Sequence, residues 1–106
     1  MSRRPSVVPD EIDLFASPWV SGTRVSQYFG PVAVEGFAAD GQDNRNALWL
    51  KLFVEVLGTI RVRASELGAN AVVAVELTAD PFFVKGGLTG LRVHVCGTAA
   101  RLEPLF

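Results

Sequence analysis

Between Arg45 and Leu67, apolar residues return at spacings of three and four: Leu50, Phe53, Leu57, Ile60, Ala64 and Leu67. That rhythm matches the 3.6-residue turn of an α-helix and lays one continuous apolar stripe along its length. The helix is bounded on both sides. Before it, Asp40-Gly41-Gln42-Asp43-Asn44 is a dense turn cluster, and Asp43 or Asn44 can cap the first turn by accepting backbone N–H groups that have no partner within the helix. After it, Leu67-Gly68-Ala69-Asn70 places a glycine where helices commonly end in a left-handed residue, with Arg61 and Arg63 near the negative end of the helix dipole. A helix of this length with one apolar side must lie on something, which is expected to be a sheet.

The flanking segments supply the strands. Ile12 to Phe15 is a short apolar stretch that ends at Ser17-Pro18 and reads as an edge strand. Arg24 to Phe37 is rich in Val, Tyr and Phe, and an interruption is expected near Gly30-Pro31, because proline has no N–H to give to a ladder. Ala71 to Glu76 reads as a buried strand, and Leu91 to Cys96 alternates with period two. Between these two, Asp80-Pro81 and Gly86-Gly87 bracket Phe82, Phe83 and Val84, so the link is expected to be a long hairpin loop with an apolar patch in it. The predicted order is strand, strand, helix, strand, strand. This is an α+β fold with one long helix on an antiparallel sheet.

At 106 residues the chain has room for one hydrophobic core. Residues 1–11, with two prolines and no periodicity, read as a flexible arm, and residues 12–106 as a single domain. Ten basic and eleven acidic residues are mixed along the chain for a net charge of −1, which leaves no electrostatic footprint for nucleic acid or anionic lipid. The longest apolar runs fall far short of the roughly 20 residues that cross a bilayer, so no membrane span is expected. The one cysteine, Cys96, cannot form an intrachain disulfide, and Arg3-Arg4 is not followed by the apolar stretch of an export signal. These features point to a reducing, cytoplasmic setting.

Two separated stretches resemble a known family. Leu67-Gly68-Ala69-Asn70-Ala71-Val72-Val73 after the helix, and Gly97-Thr98-Ala99 at the end of the last strand, are similar to the YbjQ-like family, which carries a heavy-metal-binding label. The likeness runs upstream through Ala16-Ser17-Pro18, Gly22 and Tyr28-Phe29-Gly30, and so covers roughly residues 12 to 102. The resemblance implies a dodecin-like β-β-α-β-β subunit and assembly into a pentameric ring. The sequence departs from the family pattern in two places. Asp40 to Asn46 stands where members usually carry a Gly-Gly-Arg-Ser stretch and a nearby tyrosine, and Ala16-Ser17 stands where they tend to have a threonine pair.

Assembly is also expected on physical grounds. Leu48, Trp49, Leu50, Leu52, Phe53, Val54, Val56 and Leu57 leave only Lys51 and Glu55 as a polar strip on the first half of the helix, so that half should be buried on two sides. Trp49, Leu52, Phe53 and Val56 are the candidate oligomer interface, the alternative being that the N-terminal strand and arm fold back over Trp49 and Leu52. His94 and Cys96 share one strand face and are the candidate metal ligands, for zinc or copper, with carboxylates such as Asp13, Glu35 or Glu76, or a neighbouring copy, completing the set. No orienting acid is spaced to make the pair a catalytic thiolate, and no nucleophile elbow, phosphate loop or dinucleotide fingerprint is present. Lys85-Gly86-Gly87 lacks the strand-to-helix setting of a phosphate cradle. Phe82, Phe83 and Val84 are a candidate protein-binding loop, unless they tuck under the helix or into an adjacent subunit, and the N-terminal arm is a second candidate contact. Glu11 to Phe15 reads as a docking motif or, more simply, as the first strand. The expectation is a non-enzymatic, homo-oligomeric structural or binding module with no cofactor, and metal binding through His94 and Cys96 is the alternative.

Overall fold

The computed structural model describes residues 11–39, 45–84 and 88–105. Its elements are β1 (Asp13–Leu14), β2 (Thr23–Ala39), α1 (Arg45–Glu66), β3 (Ala71–Val84) and β4 (Leu88–Pro104). The strands form one sheet in the order β1-β3-β4-β2, with α1 against one face. The predicted element order and the α+β class are those observed. All of the expected 1–11 arm but Glu11, the expected cap at Asp43 or Asn44, and Lys85-Gly86-Gly87 lie outside the described residues.

Two expectations need correction. The sheet is mixed rather than antiparallel, because β1 runs parallel to β3, Asp13 opposite Ala71 and Leu14 opposite Val72. A parallel pair needs a long crossover, and here β2 and α1 together supply it. Phe82, Phe83 and Val84 are not in a loop: they belong to β3 and pair with Gly90, Thr89 and Leu88 of β4. Asp80-Pro81 predicts the start of a loop, yet Pro81 lies where β1 no longer reaches and β3 is itself an edge among the described residues, a position where sheets tolerate proline.

The core lies between α1 and the near face of the sheet. Val32 and Val34 of β2 and Leu91, Val93 and Val95 of β4 are buried beneath Leu52, Val56, Ile60 and Ala64. The helix comes very close to β2 at Gly36, where a Cβ would stand 2.7 Å from Val56 Cγ2 and 2.9 Å from Leu52 Cδ1. Alternation then sends Ala33, Glu35 and Phe37, and Arg92, His94 and Cys96, to the opposite face, which α1 does not cover.

The segment after the helix couples the two layers. Gly68 has φ 89°, and the N–H groups of Gly68 and Ala69 return to the carbonyls of Ser65 and Ala64 at 3.0 and 3.1 Å, which is a Schellman ending. Arg101 Nη2 donates to the Gly68 carbonyl at 2.6 Å. Two residues on, the Asn70 side chain clips the end of β4: its Nδ2 donates to Leu102 O at 2.9 Å and its Oδ1 accepts from Leu102 N at 2.8 Å. The bulge in β3 is held from the other side, Ala74 (φ 54°) and Val75 donating to Ser17 O and Phe15 O at 3.0 and 2.9 Å. Removing the Asn70 amide leaves the N–H and C=O of half-buried Leu102 without these partners. Asn70→Ala is therefore expected to lower stability by about 1–3 kcal/mol, read as a lowered urea midpoint with an unchanged slope.

Candidate functional site

Three surfaces carry the residues singled out from sequence. The first is the uncovered face of the sheet. His94 lies opposite Glu35 on β2 and Thr78 on β3, and Cys96 lies opposite Ala33 and Glu76. Both side chains are half-buried, and they point away from Val93 and Val95, which sit under the helix. One row further along, Arg92 stands between Glu35 at 3.6 Å and Asp80 at 3.8 Å, so a carboxylate beside His94 is already drawn toward a guanidinium. These groups are roughly half exposed, and each such pair contributes no more than about 1 kcal/mol. Among the described residues no group of three or more His, Cys, Asp or Glu is placed to hold a metal ion. The structure thus brings His94 and Cys96 onto one face, but within one chain it brings no third ligand of these types to them among the described residues. Asp13 lies on the far edge strand, β1.

The second surface is the helix. Leu52 and Val56 are 4% and 3% exposed, covered by the protein's own sheet, and Trp49 and Phe53 pack partly against that core with ring centroids 5.5 Å apart. The four residues expected at an interface between subunits therefore face largely inward. The outward line is Leu50, Val54, Gly58 and Val62, repeating every fourth residue. Leu50 is 65% and Val54 69% exposed. Spacing puts Leu50 on the core stripe, whereas the fold puts it on the solvent side. Other large exposed side chains are Trp19 and Leu105, near the start of β2 and the end of β4, and Tyr28 on β2.

The third surface runs along the open edge of β2. Val34 to Phe37 and the α1 residues Leu52, Glu55, Val56, Thr59 and Arg63 line a hollow of about 230 Å³. Ala33, Val34, Glu35, Phe37, Arg63 and His94 line another of about 450 Å³ on the far side of the strand. Arg63 is common to both, and its Nη1 donates to the Ala33 carbonyl. The sequence marks Arg63 only as a cation at the helix end, because a backbone acceptor thirty residues away leaves no trace in a local pattern.

Among the described residues no helix is long and apolar enough to cross a membrane. In fold, the chain is similar to the crystal structure of a DUF74-family protein of unknown function from Pediococcus pentosaceus, with a TM-score of 0.71 over 87% of this chain and 98% of that one, at 15% identity. DUF74 is the YbjQ-like family, so the resemblance read from the Leu67 to Val73 stretch has a counterpart in three dimensions. At that identity the likeness concerns the fold. No family model matches the sequence, and no curated protein matches it.

The inward and outward helix lines make different demands on stability. Leu52→Ala is expected to cost about 2–5 kcal/mol through lost burial and the cavity left behind. Leu50→Ala is expected to cost about 0.5 kcal/mol or less in the isolated subunit. Urea unfolding of both variants at low protein concentration compares them directly.

Proposed function

We propose that the protein is a non-enzymatic homo-oligomeric module whose subunits meet on the outer face of α1. The observation that carries this reading is the exposure of Leu50 and Val54, 65% and 69%, on a helix whose other side already covers the sheet. Apolar side chains one turn apart are left facing water, and such patches mark contacts between chains. Val62, 41% exposed, continues the line, and Gly58 interrupts it with no atom within 4 Å of where its Cβ would be, so the backbone of a second helix has room to approach there. Residues four apart form a ridge that packs into the groove of a facing helix, and a second copy offers that groove. Lys51 and Glu55 flank the line as a polar rim.

The resemblance to a ring-forming family favours a cyclic assembly, and the DUF74 neighbour's own function is unknown. The reading assigns His94 and Cys96 no ligand and keeps the module in the cytoplasm, on the strength of the single cysteine. Native mass spectrometry of untagged protein, before and after zinc or copper is added, tests it. A metal-free homo-oligomer is expected, falling to a monomer with an unchanged far-UV spectrum in Leu50→Lys/Val54→Lys. A wild-type monomer at micromolar concentration would sink the proposal. Stoichiometric metal that disappears in His94→Ala would replace it with the metal-binding reading.

A further inference from the structure

Among the described residues the sheet ends in a 17-residue edge strand, β2. Such an edge presents a row of backbone donors and acceptors that can template pairing with another chain, so natural proteins block it. Along β2 the blocks occur in sequence. In its first half, Ser26 and Phe29 fall out of register with β4, two irregularities that break the flat ladder a new strand would need. Gly30, at φ 116°, and Pro31 follow. Pro31 and Ala33 are two apart in a stretch without register shifts, so their backbone groups point to the same side. That side is the open edge, because the Ala33 carbonyl receives Arg63 of α1 there. At Pro31 the missing N–H therefore takes nothing from the ladder with β4 and removes one donor from the edge.

Beyond Pro31 the strand is regular, pairing from Val32↔Gly97 to Ala39↔Gly90 without a shift. This is the part most able to accept a new strand. A partner strand would run about 4.7–4.9 Å away and would need the Ala33 carbonyl as an acceptor. Arg63 occupies that acceptor, and its guanidinium stands in the lane the partner would take. From the geometry we infer that Arg63 is an edge guard: it closes the regular half of β2 to strand addition by a second copy of this chain. This goes beyond the helix-face contact and does not depend on it, since strand pairing adds subunits through a different surface whether the native protein is an oligomer or a monomer.

The test compares Arg63→Ala and Arg63→Met, the second keeping the alkyl stem while removing the donors, by sedimentation velocity and thioflavin-T fluorescence. Both variants are expected to keep the wild-type far-UV spectrum. They should also form species of at least twice the wild-type mass that grow with concentration and raise the dye signal. Adding Ala33→Pro, which removes an outward N–H, is expected to return the mass to the wild-type value. Folded variants with an unchanged mass distribution would overturn the assignment. So would loss of the folded spectrum in both variants, because Arg63 would then be holding the fold together, and so would growth that persists after Ala33→Pro is added.

Discussion

The contact of Leu52, Val56, Ile60 and Ala64 with the valines of β2 and β4 is the interaction on which the other features depend. Each of the larger of these side chains contributes about 1.5–3 kcal/mol on burial. The geometry is as important as the area. Gly36 lets α1 settle so closely on β2 that a single added methyl would meet Val56 and Leu52 inside normal contact distance. Once the helix is seated there, its rotation about its own axis is set. Leu50 and Val54 must face outward, and Arg63 must come to the edge of β2.

Seating the helix also requires that its end be held. The Leu67-Gly68-Ala69-Asn70 stretch does this through three distinct contributions: a left-handed glycine that turns the chain, a fully buried Ala69, and an asparagine amide that stands in for one residue of a strand against Leu102. The stretch that carried the family resemblance is thus the joint between helix and sheet. A joint of this kind belongs to the fold and need not report on function.

The limits of α1 were legible in the sequence, since a turn cluster precedes it and a glycine ending follows it. Its buried face was not. The Leu50 to Leu67 line and the Leu52 to Ala64 line both satisfy helical spacing on a helix whose Leu48 to Leu57 stretch is apolar but for Lys51 and Glu55, and the seat at Gly36 chooses between them. Strand positions were legible from alternation, and so was the shared face of His94 and Cys96. Strand lengths were not, because Asp80-Pro81 and Gly86-Gly87 read as the bounds of a loop and Gly97 as the close of the last strand. Gly97 is instead a close approach, where a Cβ would stand 2.6 Å from Val72 Cγ1. The surroundings of His94 depended on register, which places Glu35 opposite it and Arg92 between Glu35 and Asp80. No local pattern encodes register across a sheet whose strands lie on either side of a helix.

The same seating decides which side chains of α1 face solvent and which reach the edge of the sheet. On the helix, Leu50 and Val54 stand exposed in a line with Gly58, on the side away from the sheet that the helix covers. On the sheet, the long edge of β2 carries two irregularities, a proline and an arginine reaching over from the helix. Open strand edges pair with little discrimination and propagate without closing, whereas packing of shaped side chains selects one partner and one angle. On the proposed reading, in which subunits meet through the helix ridge while the strand edge is blocked, packing of the ridge selects a closed, finite assembly over an extended sheet. Both surfaces are positioned by the one contact between α1 and the valines beneath it.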